Sequence, residues 1–109
     1  MLVLLIVYVL GGLGLILLAV PMYLEKIPPN AWYGFRVRKT LENPKIWYAV
    51  NKYSSAWFMA AGLALIFAAL GLALIPGISI DAYSLACLAV FTLVFGAGMT
   101  FSVRYMNSL

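Results

Sequence analysis

The sequence has no histidine, three carboxylate side chains and one cysteine among its 109 residues. Without histidine, the chain lacks the commonest general base of enzymes and the commonest ligand of transition metals in proteins. The single cysteine, Cys87, has no partner for a disulfide within the chain. The sequence also contains no glycine-rich phosphate loop and no pairing of a nucleophile with a base. We therefore expect no enzyme, no metal site and no cofactor.

Charged residues are scarce as well. They make up 9% of the chain, whereas 66% of the residues are hydrophobic, and the mean hydropathy is +1.07. Soluble domains contain about 25% charged residues, and a chain this short cannot bury so much apolar surface in its own core. We expect the lipid bilayer to be its solvent. The net charge of +4 does not predict nucleic-acid binding, because the basic residues lie beside apolar segments, where they orient membrane proteins.

Long apolar segments predict an all-α integral membrane protein with three transmembrane helices, in a single membrane domain covering residues 1–109. The spans are expected at about residues 2–24, 53–75 and 82–104. A helix of about 20 apolar residues crosses the hydrocarbon core of a bilayer, which is about 30 Å thick. The first segment resembles a signal peptide in position, but it has no basic leading region and its apolar run is too long.

Residues 25–52 are predicted to form a basic, aromatic loop that lies at the membrane interface. Pro28 and Pro29 exclude a continuous helix there, because they remove backbone donors and favour extended geometry before them. Asn43 is a good N-cap, and Pro44 suits the first position of a helix. From Pro44 the apolar residues recur at helical spacing, so a short amphipathic helix should lead into the second span, with or without a break.

The basic residues also predict the orientation of the chain. Most of them lie in the first loop, and the second loop has none; the first loop contains Lys26, Arg36, Arg38, Lys39, Lys45 and Lys52. The positive-inside rule then places the N-terminus outside and the basic loop and C-terminus in the cytoplasm. No ionisable residue is expected inside a span, which argues against an ion-coupled transporter.

Small residues at helical spacing mark the second span: Ala60, Ala64, Ala68 and Gly71. Such residues allow helices to pack closely in lipid. We interpret this stripe as the main helix–helix contact, within the chain or in a homo-oligomer. The alternative is that alanine only fills a lipid-facing surface.

The candidate binding or loop-organising residues are concentrated in the loop and at the start of the following helix: Pro29, Asn30, Tyr33, Gly34, Arg36, Trp47 and Asn51. The two asparagines can bond each other or the backbone near the prolines. Gly34 permits a turn or a close backbone approach. The planar guanidinium of Arg36 suits a lipid phosphate, a cluster of carbonyls or a carboxylate. In the plainer interpretation the aromatic rings form an interfacial belt, the bases set orientation, and the prolines break a helix.

The pattern P-x-N-x-x-x-G-x-R followed by W-x-x-x-N starts at Pro28 and ends at Asn51, with Thr40 between its two parts. This segment resembles the SdpI-type membrane protein family, which takes its name from an immunity protein against a secreted bacterial toxin. The resemblance covers roughly residues 27–62. It implies a multi-pass protein of a prokaryotic plasma membrane. Such a protein would bind or neutralise a hydrophobic toxin or peptide, or would sense it through the cytoplasmic loop and a cytoplasmic regulator.

Two other functions remain open from the sequence. The chain can be a structural or accessory membrane subunit, or a homo-oligomer, without any catalytic activity. A small exporter of hydrophobic compounds is the second alternative, although such a pathway would require several copies of the chain and the spans offer no coupling carboxylate.

Overall fold

The computed structural model describes residues 1–109 and contains helices and no strands. The helices are α1 (Leu2–Tyr23), α2 (Arg38–Glu42), α3 (Pro44–Leu72) and α4 (Ile80–Asn107). Three of them, α1, α3 and α4, are long and apolar enough to cross a membrane. This confirms the predicted fold class. The amphipathic segment and the second span form one unbroken helix, α3.

Local sequence signals define where α3 and α4 begin. The Asn43 side chain caps α3, since its Oδ1 accepts a hydrogen bond of 3.0 Å from the Lys45 backbone N–H. Pro44 follows at the first helical position, where its missing N–H has no cost. Ser79 caps α4 in the same way, with its Oγ accepting from the Ala82 N–H at 3.1 Å. Both helices therefore begin with the capping chemistry that their sequences favour.

Helix α1 ends in a Schellman motif. The Lys26 N–H donates to the Pro21 carbonyl at 3.0 Å, and the Glu25 N–H donates to the Met22 carbonyl at 3.1 Å. Glu25 takes the left-handed conformation, with φ of 59°, at the position where glycine is usual. The chain leaves the end of α1 through this turn and enters the loop.

Helix α3 lies between α1 and α4, which make most of their contacts with it rather than with each other. The closest approach of α1 and α3 is at Gly12 and Gly62. A Cβ atom added to Gly62 would lie 2.7 Å from the Gly12 carbonyl oxygen. The two backbones therefore touch at this crossing, as in other glycine-mediated helix pairs in membranes.

The buried small residues of α3 are not those of the predicted stripe. Within the chain, α3 buries Ala61, Gly62 and Ala69 together with Leu65. The predicted stripe lies beside this row: Ala60 and Gly71 are exposed, and Ala64 and Ala68 are half-buried. A contact made by the stripe as a whole, between copies of the chain, stays a prediction.

The end of the bundle away from the loop has an apolar core formed by Leu65 and Ala69 of α3 with Tyr83 and Cys87 of α4. The Tyr83 hydroxyl donates to the Ala69 carbonyl at 2.8 Å. Tyr8 of α1 pairs with the Ser84 hydroxyl at 2.7 Å, joining α1 to α4. Two tyrosine hydrogen bonds thus accompany the packing of the three spans at this end.

Candidate functional site

The loop between α1 and α3 is bound to α3 through the side chain of Asn51. This residue is 2% exposed. Its Oδ1 accepts a hydrogen bond of 2.5 Å from the Phe35 backbone N–H, and its Nδ2 donates to the Trp47 carbonyl at 2.9 Å. Because both ends of the amide are used in a buried setting, Asn51 fixes the loop backbone at one defined point.

Trp47, one turn before Asn51, provides a second attachment. The side chain is fully buried, and its Nε1–H donates to the Ile27 carbonyl at 2.8 Å. The indole ring forms part of the surface on which the loop lies. The two residues of the W-x-x-x-N pattern therefore act together, since they hold the beginning and the middle of the loop.

Gly34 lies where the loop passes closest to the helices. Its φ is +113°, a conformation that residues with a side chain rarely adopt. A Cβ atom at this position would lie 3.0 Å from both Asn51 Oδ1 and Trp47 Cη2, and it would collide with the Met22 methyl group. Both the backbone angle and the space therefore require glycine.

Asn30 and Arg36 organise the loop itself. Asn30 Oδ1 accepts from the N–H groups of Trp32 and Tyr33 at 2.8 and 2.9 Å, and its Nδ2 donates to the Pro28 carbonyl at 2.8 Å. Asn30 thus bonds the backbone beside the prolines, whereas Asn51 bonds the loop backbone farther along, at Phe35. The two asparagines do not bond each other. The Arg36 guanidinium donates to the Ala31 carbonyl. Pro29 lies within this segment and is half-buried.

The predicted set omits side chains of α2 that also hold the loop. Thr40 is fully buried, and its hydroxyl lies 2.6 Å from the Phe35 carbonyl and accepts from the Val37 N–H at 3.1 Å. Lys39 donates to the Met106 carbonyl at 2.9 Å, which connects the loop to the end of α4. A helix of five residues is too short for hydrophobic periodicity to reveal its buried face. The only sequence signal for Thr40 is its position in the family pattern.

A cavity of about 190 Å³ lies between α1 and α3, beneath the loop. Tyr33 and Gly34 of the loop close it on one side. The lining consists of apolar side chains of both helices and three buried polar residues of α3: Leu15, Leu18, Ala19, Met22 and Phe58, with Asn51, Ser54 and Ser55. The serine hydroxyls bond carbonyls of their own helix, at Asn51 and Lys52. The walls therefore suit an apolar guest the size of one large side chain.

The predicted binding residues do not all meet at the cavity. Tyr33, Gly34 and Asn51 meet at the cavity. Asn30 and Arg36 shape the loop away from it. No group of three or more histidine, cysteine, aspartate or glutamate side chains is placed to hold a metal ion.

The fold and the loop define a small membrane protein with three spans and a loop fastened to the middle span. A family model described as the SdpI/YfhL protein family matches residues 26–104. The chain belongs to this family. The matched region begins in the loop and contains all seven candidate binding or loop-organising residues, so the sequence resemblance is confirmed. No curated protein and no solved structure matches the chain.

Proposed function

We propose that this protein confers resistance to a hydrophobic toxin peptide by binding one of its apolar side chains in the cavity beneath the loop. The observation that supports the proposal is the meeting of Tyr33, Gly34 and Asn51 with the apolar surface of α1 and α3. The proposal extends the immunity activity for which the family is named to this chain. It includes a prokaryotic plasma membrane as the location and a cytoplasmic position for the loop.

The physical basis of binding is the apolar cavity wall. The buried serine hydroxyls and the Asn51 amide already have partners within the chain, so a guest need not supply hydrogen bonds. An apolar side chain arriving from the lipid would gain close contacts that lipid tails do not offer. Tyr33 is half-buried and belongs to the loop, so it is the residue through which an occupied cavity can alter the loop.

The test uses a toxin-sensitive bacterium that expresses the chain. The cells are challenged with the secreted toxin against which the protein that gave the family its name protects, and their survival is measured. Ala19, which is 4% exposed and lines the cavity, is replaced in the variant Ala19→Phe to fill the space. Protection should be lost while the amount of protein in the membrane is unchanged. The matched control is Leu17→Phe, two residues away on the lipid side of α1 and 71% exposed.

Full protection by Ala19→Phe at equal membrane levels would contradict the cavity as the binding site. The loop variants Arg36→Ala and Asn30→Ala provide a second test. Each removes bonds that shape the loop, so both should protect poorly although they insert normally. If both protect as well as the wild type, the loop has no part in recognition.

A packing role is the alternative function, and exposed small residues of α3 favour it. Ala60 and Gly71 are exposed and are available to a second copy. The variant Ala64→Leu would then disrupt a homo-oligomer, as measured by the mass of the protein in nanodiscs, while loop changes such as Arg36→Ala should leave that mass unchanged. An unchanged mass for Ala64→Leu would contradict this role.

A further inference from the structure

A second groove lies on the other side of α3 from the cavity beneath the loop. It has a volume of about 450 Å³ and is formed where the end of α1, the first half of α3 and the end of α4 meet. Four aromatic rings and two opposite charges line it: Tyr23, Tyr53, Trp57 and Tyr105, with Glu25 and Lys52. Nothing in the proposed toxin binding uses this groove.

The two charges in the groove do not neutralise each other. The only ion pair in the chain joins Arg38 and Glu42, so neither Glu25 nor Lys52 is within 4.0 Å of an opposite charge. The Lys52 ammonium instead lies over the Tyr23 ring, 5.2 Å from its centroid. A negative and a positive group thus stand apart in the same groove, beside aromatic rings that attract cations.

Glu25 occupies its position against two physical preferences. Its backbone is left-handed, with φ of 59°, at a position where glycine is usual. Its negative charge also lies at the C-terminal end of α1, which favours cations rather than anions. Both costs would disappear with glycine. An uncommon conformation at a groove points to a use for the side chain, and here that side chain supplies the carboxylate of the groove.

We propose that this groove binds the headgroup of an aminophospholipid of the phosphatidylethanolamine class. The phosphodiester lies at the Lys52 ammonium, and the lipid ammonium lies at the Glu25 carboxylate among the aromatic side chains that line the groove. A primary ammonium can donate hydrogen bonds to the carboxylate. The charge pattern therefore matches a zwitterion rather than an anion.

The position of the groove favours a lipid over a soluble ligand. Charged residues at the ends of apolar spans lie at headgroup depth. Trp57 in the groove stacks on Phe101, with ring centroids 5.4 Å apart, and Phe101 is 40% exposed. The acyl chains of a bound lipid can therefore continue along the apolar surface of α3 and α4.

The test reconstitutes the full chain in nanodiscs that contain equal amounts of phosphatidylethanolamine and phosphatidylglycerol. Both lipids carry the same phosphodiester, and only the first carries an ammonium. After transfer to mild detergent, native mass spectrometry counts the lipids that stay bound. The wild type should retain phosphatidylethanolamine with a preference of about fivefold, the size expected for one partly exposed charge contact with an aromatic contribution.

Two variants separate the contributions of the charges. Glu25→Gln should lose the preference between the lipids, and Lys52→Gln should retain less of both. The matched controls are Glu42→Gln and Lys26→Gln, exposed residues outside the groove, which should behave as the wild type.

Three results would overturn the proposal. They are equal retention of both lipids by the wild type, an unchanged preference in Glu25→Gln, and an equal loss of preference in Glu42→Gln. The last result would reveal a general effect of net charge. The cavity variant Ala19→Phe should keep the lipid preference, so failure of the toxin proposal and failure of this one are distinguishable.

Discussion

The two ends of the bundle are held together by different interactions. At the loop end, the buried side chains of Asn51, Trp47 and Thr40 form hydrogen bonds to the loop backbone. At the far end, residues 73–79 make a short connection, and packing around Tyr83 and Cys87 dominates. Apolar spans satisfy their own backbone groups and are oriented by the bilayer, whereas an irregular loop has no regular backbone hydrogen bonds and is positioned by side chains. The loop end therefore depends on individual residues more than the far end does.

The largest effect is expected from Gly34→Ala at the loop end. The left-handed backbone and the collisions with Met22 and Trp47 should cost about 2–3 kcal/mol. The loop should leave α3, and trypsin should cut after Arg36 much faster in detergent. The control is Gly71→Ala, because nothing lies within 4 Å of a Cβ atom there. An unchanged cutting rate in Gly34→Ala would contradict the loop geometry.

Asn51→Leu should have the next largest effect, about 2 kcal/mol, because it leaves the half-buried Phe35 N–H without its acceptor. Hydrogen exchange at the Phe35 amide should accelerate, and unfolding in mixed micelles with sodium dodecyl sulfate should occur at a lower fraction of that detergent. Asn107→Leu, at an exposed position near the end of α4, is the control. If exchange at Phe35 is equally slow in Asn51→Leu, another group holds the loop.

Trp47→Phe keeps an aromatic ring but removes the hydrogen bond to the Ile27 carbonyl. We expect a loss of about 1.5 kcal/mol in the free energy of unfolding, from the missing bond and the smaller ring. Trp32→Phe is the control, since Trp32 is 86% exposed and should change stability by less than about 0.5 kcal/mol. If Trp47→Phe is as stable as Trp32→Phe, the hydrogen bond and the larger ring of Trp47 do not contribute to stability.

The smallest effect is expected at the far end, from Tyr83→Phe. The Ala69 carbonyl lies in the last turn of α3. The Ala73 N–H, which would bond this carbonyl in a continuing helix, bonds the Gly71 carbonyl instead. The Ala69 carbonyl accepts from the Tyr83 hydroxyl. Hydrogen bonds between helices in membranes contribute about 0.6 kcal/mol on average, and unfolding in mixed micelles should show a loss of this order. Tyr48→Phe is the control. A cost above that of Asn51→Leu would reverse the comparison between the two ends.

Much of the fold is predictable because its signals are local. Apolar length predicts the spans, and Asn43 followed by Pro44 predicts where α3 begins. The loop contacts are less accessible because one partner of each bond is a backbone group. Phe35 N–H and Asn51 are 16 residues apart, and Lys39 and the Met106 carbonyl are 67 apart. Any residue type can supply those backbone groups, so the sequence indicates the side chain of each hydrogen bond but not its backbone partner.

The helix contact shows a different limit of sequence reasoning. Small residues lie on more than one face of α3, and the spacing of Ala60, Ala64 and Ala68 is as regular as that of the buried row. Spacing indicates that a face can pack closely, but it does not say which face meets a neighbour. That choice depends on Gly12 of α1, which allows the α3 backbone to approach at Gly62.

The length of α3 ties the loop to the thickness of the membrane. Its 29 residues extend over about 43 Å, whereas the hydrocarbon core is about 30 Å thick. The surplus lies at the end that carries Trp47 and Asn51, so these residues are carried at or above the hydrocarbon boundary. A thicker bilayer would surround Trp47 and Asn51 with less water. Their hydrogen bonds to the loop would then be stronger, and breaking those bonds would cost more free energy. A change in bilayer thickness should therefore alter how firmly the loop is held.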